Sequence, residues 1–331
     1  MRHITKRAAL SVLAGAPAAL MAPTVLGQNR ASTIVIATGV DPSFAPLVCA
    51  IRKGFFEKNG IRAELKIFDD GLVALDSLLT GAGDVGATLE VGGIPRRAKG
   101  GQLFVTAQAN YTDEFFGLVG SKSIQKPQDL IGKTVGLSVR GGASQLFLTA
   151  YARFHGFDFS QLKIKLVGAP EAIPSLARGD IDVICLGEPW LSRAVSAVPN
   201  THYIVKQKKT DNPKFYRLND YYYFGERLMG DPELSKATMR ALIEGSEWVA
   251  KNRDEAVKIS AEIYKVSNDM SAFIIDMFDY TMTFSPALLA TFEQTAEFQK
   301  SLGVITTVPD WKTFLRPEVL RAVAPERVTV S

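Results

Sequence analysis

A seventeen-residue pattern occurs twice in this chain. Ala74 to Glu90, ALDSLLTGAGDVGATLE, aligns without a gap on Ala172 to Glu188, AIPSLARGDIDVICLGE, at an offset of 98 residues. The copies share Ala, Ser, Leu, Gly, Asp, Val and Glu. Each reads as a short helix, a glycine that stops it, and a strand that ends on a glutamate. Such a unit cannot bury its apolar face alone, so its duplication implies two similar α/β units. A fainter echo lies upstream. Asn59-Gly60-Ile61 with Leu65-Lys66-Ile67 matches His155-Gly156-Phe157 with Leu162-Lys163-Ile164 in the same order. Two related α/β lobes enclose a cleft, and clefts between lobes bind small molecules.

The rest of the chain fits around these copies. Thr33 to Thr38 is a β-branched run, and Gly39 to Phe44 reads as the loop after it. Ala45 to Lys58 has one continuous helical period that stops at Asn59-Gly60. Strand Glu64 to Phe68, helix Leu72 to Thr80 and strand Asp84 to Ala87 follow, with Asp69 and Asp70 placed to cap the helix. Strands and helices alternating at this spacing predict parallel sheets with right-handed crossovers. Phe115 to Val119 leaves the first unit, while Lys133 to Leu137 and the helix Ala143 to His155 build the second. Gln207 to Asn219 is polar and basic and reads as an exposed excursion, and Tyr221 to Phe224 as a strand returning to the first unit. Asp231 to Leu302 has helical period, and Pro309, Pro317 and Pro325 punctuate a tail that wraps the first unit. The expected division is residues 28–118 and 220–331 in lobe 1 and 119–219 in lobe 2. A two-segment hinge joins them near 118 and 220.

At 331 residues there is room for two ordinary domains, and 47% hydrophobic with 22% charged residues is the balance of a water-soluble globular protein. The first 27 residues depart from it. Arg2, Lys6 and Arg7 precede an uncharged Ala- and Leu-rich run from Ala8 to Ala22, and Val25-Leu26-Gly27 suits a signal peptidase. This reads as a cleaved export signal over residues 1–27, too short in its apolar run to anchor in a bilayer. Thr5 to Leu10 resembles a twin-arginine signal with Lys in place of one Arg, so either export route stays open. No Cys follows the run to take a lipid, so the mature protein is expected free in the periplasm and monomeric. Losing three basic and no acidic groups with the signal lowers the net charge from +4 to +1. No basic patch interleaved with aromatics points to nucleic acid.

Two cysteines remain, Cys49 in an apolar helical stretch and Cys185 inside a strand, and both read as buried free thiols. Enzyme signatures are poor. The mature chain has His155 and His202 alone among histidines, no nucleophile elbow, and no Cys/His cluster at metal spacing. No metal and no cofactor is therefore expected.

The sequence resembles the nitrate/sulfonate/taurine-type substrate-binding proteins of ABC importers, a family that includes thiamine-precursor binders. The resemblance rests on Ala50 to Ile61, Ala74 to Gly86, Asp129 to Gly136, Gly179 to Val183 and Gly187-Glu188-Pro189-Trp190, and spans roughly residues 33 to 300. It implies an α/β, two-lobed periplasmic binding protein fold of type II. It also implies capture of a small organic molecule, anionic by family habit, for delivery to an ABC permease and ATPase. A decarboxylase or lyase on the same fold, a pyrimidine-precursor binder and a sensor partner are the alternatives.

Candidate ligand contacts follow from the strand ends. Ser138 to Gln145 links a strand to a helix, where free N–H groups and the helix dipole favour an anion. The resemblance places this loop in the cleft, with Gly142, Ser144 and a charged bond from Arg140 as contacts. Glu90 and Glu188 end equivalent strands. Glu90 facing the cleft would disfavour a pure anion and favour an amine or ring N–H. Asp41 and Phe44 follow the first strand, Asn110 precedes the first crossing, and Tyr222 lies in the second. Trp190 is suited to flank a planar ligand.

Overall fold

A computed structural model describes residues 32–68, 71–212 and 214–330. The export-signal reading and the capping assigned to Asp69 and Asp70 fall outside these residues.

Two five-stranded sheets carry the fold. The first contains β1 (Ser32–Gly39), β2 (Ile61–Phe68), β3 (Val85–Leu89), β4 (Leu103–Thr112) and the late strand β10 (Leu218–Gly225), in the order β2-β1-β3-β10-β4. The second contains β5 (Phe116–Ser121), β6 (Thr134–Leu137), β7 (Lys163–Leu166), β8 (Val183–Gly187) and β9 (Thr201–Lys206), in the order β7-β6-β8-β5-β9. The two orders are the same pattern. In each, three parallel strands are followed by one antiparallel strand, and that strand is the one arriving from the other sheet. The chain changes sheet between Thr112 and Phe116 and again between Lys206 and Leu218. Since β10 starts at a crossing and runs against β3, the carboxyl end of β3 lies at the crossing; β5 does the same for β8. Ligands of open α/β sheets bind at such carboxyl ends.

The sequence repeat maps onto equivalent pieces of the two sheets. Helix α3 (Gly71–Leu79) feeds β3, and helix α6 (Ala169–Arg178) feeds β8. The shared glycines Gly81 and Gly179 both take left-handed φ, +71° and +78°, which a side chain would strain. The shared aspartates act as staples. The Asp84 Oδ2 accepts the Val35 N–H at 2.7 Å, and the Asp182 Oδ2 accepts the Thr134 N–H at 2.8 Å. Each aspartate also donates its own amide to the carbonyl of the same partner residue. Two of the seven residues the copies share therefore serve turn and strand registry rather than ligand.

Apolar packing follows the strand pattern. In β10 the run Tyr221-Tyr222-Tyr223-Phe224 is fully buried, as expected of a central strand covered on both faces. Helix α4 (Glu90–Ala98) brings Gly93 against the Tyr223 ring, and α1 (Ala45–Arg52) contributes to the same core. The continuous helix expected over Ala45 to Lys58 is broken. Gly54 at φ +72° turns the chain between α1 and a short α2 (Phe55–Lys58). In the second sheet, Val135, Val183 and Cys185 pack under α5 (Ala143–Phe154), and Val119, Ile184 and Leu186 under α6 and α7 (Trp190–Ala197). Cys49 on α1 and Cys185 on β8 are both buried and free.

The segment expected as an exposed excursion is in part interior. Gln207 is 1% exposed because its amide bonds the carbonyls of Asp113 and Tyr216 and accepts the Phe215 N–H. Lys214 and Arg217 both bond Asp113, at 2.5 and 2.8 Å, so much of the segment's positive charge is neutralised locally. Beyond β10 come α8 (Glu226–Met229), α9 (Pro232–Lys251), α10 (Arg253–Tyr264), α11 (Asn268–Met277) and α12 (Pro286–Ser301). The tail, with α13 (Trp311–Phe314) and α14 (Glu318–Arg321), returns to β4 through a bridge between Val105 and Leu315.

Candidate functional site

The carboxyl ends of β1 and β8, one from each sheet, frame a cavity of about 470 Å³. Val40, Asp41 and Pro42 enter from the first sheet; Ser138 and Ser144 flank the start of α5. Phe115, Phe116 and Trp190 give aromatic walls, and Met270 and Ile274 of α11 give an apolar one. A second hollow of about 960 Å³ opens on the other face of β10, between α5, the second crossing and α12. No strand of the second sheet lines it, so the smaller cavity, framed by strand ends of both sheets, is the better candidate for a ligand held by both lobes.

Alternation along β10 separates the two spaces. Asn219 lines the larger hollow and Tyr221 packs on Phe292 of α12. Asp220 points the other way, toward Asp41, Ser43 and Asn110. Asp41 is held by the Ser43 N–H at 2.8 Å, and the Asn110 amide donates to the Ser43 carbonyl at 2.9 Å. Asn110 stands opposite Asp220 in the β4–β10 ladder. Burial raises the pKa of Asp41. Burial, and then the neighbouring Asp41 charge, push Asp220 well above the usual carboxylate range. Tyr264 and Tyr280 are raised the same way, by burial first and Asp41 second.

Glu90, at the start of α4, is 0% exposed and outside the lining of the smaller cavity; its partners Tyr216 and Thr295 both border the larger hollow. Its Oε1 accepts the Tyr216 hydroxyl at 2.8 Å and the Thr295 hydroxyl at 3.1 Å, while Oε2 has no partner. Burial pushes its pKa up to about 7, against smaller opposing pulls from those hydrogen bonds. Glu188 is different. Although it borders the cavity, its carboxylate is consumed by Lys206 at 2.7 Å, the Ser192 amide and hydroxyl, and Tyr203. That set of bonds fixes the strand end and leaves little capacity for a ligand.

The loop after β6 reaches across to the first sheet's helices. Arg140 is exposed and donates to the Leu302 carbonyl at 3.2 Å. The Gln299 amide of α12 bonds the carbonyls of Val91 on α4 at 3.0 Å and Gly141 at 3.2 Å. A side chain at Gly141 would meet Val304 at 2.8 Å, so the loop is pressed against the segment after α12.

Of the residues singled out from sequence, Asp41, Ser144, Glu188 and Trp190 border the cavity. Asn110 belongs to the buried polar floor beside it. Arg140 and Gly142 sit in the latched loop, Gly142 at the cap of α5, outside the cavity lining. Phe44 and Tyr222 are packed in the core of the first sheet. Sequence reasoning passed over Asp220, Ser43, Tyr264 and Tyr280. Asp220 alone left a mark, as an acid heading a strand otherwise apolar enough to be covered on both faces.

Comparisons agree with this architecture. Residues 41–256 match the family described as NMT1/THI5 like. The nitrate/nitrite binding protein NrtA of a Nostoc species is 24% identical over 297 residues, 79% of this chain and 65% of that protein. A putative binding protein of Brucella abortus is 22% identical over 223 residues, 66% of each. The chain thus spans a little under two thirds of the length of these curated relatives. Among solved structures, the periplasmic aliphatic sulphonate binding protein SsuA of Escherichia coli superposes with a TM-score of 0.72 at 16% identity, over 85% of this chain and 91% of that one. A putative sulfonate-binding SsuA of Methylobacillus flagellatus gives 0.73 at 18%, over 90% and 95%. At these identities the likeness establishes the fold, the two-lobed architecture of periplasmic binding proteins.

Proposed function

The chain belongs to the NMT1/THI5-like family, and we propose that it is an exported solute-binding protein. It captures a small organic molecule between its lobes and delivers it to the permease and ATPase of an ABC importer. The observation that carries this reading is the cavity framed by strand ends of both sheets. A site shared by two lobes is completed only when they meet, so a ligand that binds the closed form better drives closure. The lobes divide at the two crossings, between Thr112 and Phe116 and between Lys206 and Leu218, a few residues before the 118 and 220 expected from sequence. Gln299 and Arg140 then hold the closed form by tying α12 to the loop after β6. Relatives named for nitrate and sulfonate support an anionic part of the ligand. Its seat is the first turn of α5, beside Ser138 and Ser144. Among the described residues no helix is long and apolar enough to cross a membrane.

Native mass spectrometry of protein from the exporting host, followed by small-angle scattering with and without the released ligand, tests the reading. A mature N-terminus near Gln28, a bound small molecule and a smaller radius of gyration with ligand are expected. An intact Met1 contradicts export, and turnover of a bound aromatic acid contradicts the assignment as a non-enzyme.

A further inference from the structure

The polar floor beside the cavity holds two acids that have neutral hydrogen-bond donors and no cationic partner. Asp41 lines the cavity, and Asp220 stands against Asp41, Ser43 and Asn110. Among the described residues none of the ion pairs involves Asp41, Asp220 or Glu90. A buried carboxylate without a counter-ion is costly. Elsewhere this chain pairs its buried acids: Asp84 with Arg227, Asp113 with Lys214 and Arg217, Glu188 with Lys206.

A second, independent observation points the same way. Asn110, 1% exposed, has its Oδ1 unpartnered, while its amide and the Ser43 hydroxyl are turned toward Asp220. Both residues flank Asp220. The Tyr264 hydroxyl, on a side chain 3% exposed, is unpartnered as well and stands near Asp41. Native proteins rarely leave two such groups unmet at one place. Arg193 also borders the cavity and lies 5.0 Å over the Trp190 ring, so Phe115 and Phe116 are the lining aromatics left to meet a ligand cation.

We propose that this floor is a subsite for a cationic N–H-bearing group of the ligand, an ammonium or amidinium, seated on Asp41 and Asp220 with Asn110 Oδ1 as a further acceptor. The inference rests on the solute-binding reading and extends it, since the ligand then carries a basic nitrogen at the end away from α5. The ligand then brings Asp41 and Asp220 the positive charge that no lysine or arginine among the described residues brings them. Selectivity follows, because a molecule of the same shape without the nitrogen leaves the acceptors unmet.

Matched probes test it. Ligand-free protein is titrated calorimetrically with 3-aminopropanesulfonate and propanesulfonate, and with 4-amidinobenzoate and benzoate. Each pair shares its anion and differs in the cation. In at least one pair the nitrogen-bearing member is expected to bind more tightly. Asp220→Asn and Asp41→Asn should each weaken it by roughly thirty-fold or more, the usual loss when one partner of a buried charged pair is removed. Both variants should melt at or above the wild-type temperature without ligand, which separates loss of the subsite from loss of the fold. Equal binding within both pairs, insensitivity to both substitutions, or a co-purifying ligand without a basic nitrogen overturns the proposal. In each of those cases ligand-driven closure still stands if scattering shows it. If no probe binds and nothing co-purifies, the solute-binding reading falls too.

Discussion

Replacing Glu90 by Gln should stabilise the protein at neutral and alkaline pH and do little in acid. The carboxyl is fully buried, with two hydroxyl donors on Oε1 and none on Oε2. Burial lifts its pKa from 4.5 to about 7. A pKa raised in the folded state means that the fold holds a proton the unfolded chain releases. Below about pH 4.5 both states are protonated and the group is neutral in the balance. Between there and pH 7 stability falls as pH rises, and above pH 7 the loss is complete. At about 1.4 kcal/mol per pH unit, the full loss is about 3 kcal/mol. Glutamine keeps the acceptor for Tyr216 and Thr295 and removes the charge. Urea unfolding of both proteins from pH 4.5 to 8.5 should show the variant gaining on wild type by up to about 3 kcal/mol as pH rises. Part of the gain comes from Asp220, whose pKa the Glu90 charge also raises. A variant that instead loses stability relative to wild type with rising pH would show that Glu90 is ionised and stabilising, and the burial argument would fail.

Three further outcomes are expected. Gln299→Ala should leave the fold intact but loosen the closed form, with a larger radius of gyration in the presence of ligand and affinity reduced a few-fold; unchanged scattering and affinity would remove the latch. Asp182→Ala leaves the Thr134 N–H without its side-chain partner and should cost about 1–3 kcal/mol in denaturant unfolding with ligand affinity unaltered. Asp84→Ala should cost more, since Arg227 is released as well. Thiol reagents should count two free cysteines in denatured protein without reductant and react slowly with the native protein, because burial pushes the Cys49 thiol up to about 12 and Cys185 higher still; a count of zero would mean a bridge.

The repeat made the paired sheets legible because its glycines and aspartates perform the same backbone task twice. Gly81 and Gly179 turn the chain, and Asp84 and Asp182 close the adjacent strand. The glutamates at the ends of the copies were legible as positions but not as roles. Equivalent in sequence, they differ in what meets them: Glu188 finds a lysine that arrives on β9, and Glu90 finds hydroxyls from the second crossing and α12. Neither partner lies near in sequence. Arg140 looked like an anion contact because local spacing placed it at a helix start, yet the end of α12 takes its bond. The polar floor was the least legible part. Ser43, Asn110, Asp220 and Tyr264 come from four separate stretches, and no periodicity or motif connects them.

The exchange of strands between the sheets also sets an order of assembly. The strands of the second sheet, β5 to β9, are consecutive in the chain, so that sheet is complete once Lys206 has been made. The first sheet is not. Its β4 is joined to β3 only through β10, and β10 ends at Gly225. A chain emerging from the ribosome therefore has half of its architecture available and the other half missing a central strand. Until that strand arrives β3 and β4 have open edges and their apolar faces lack cover, which invites binding by chaperones and delays compaction. The half that is begun first is finished last, so its compaction waits on the returning strand.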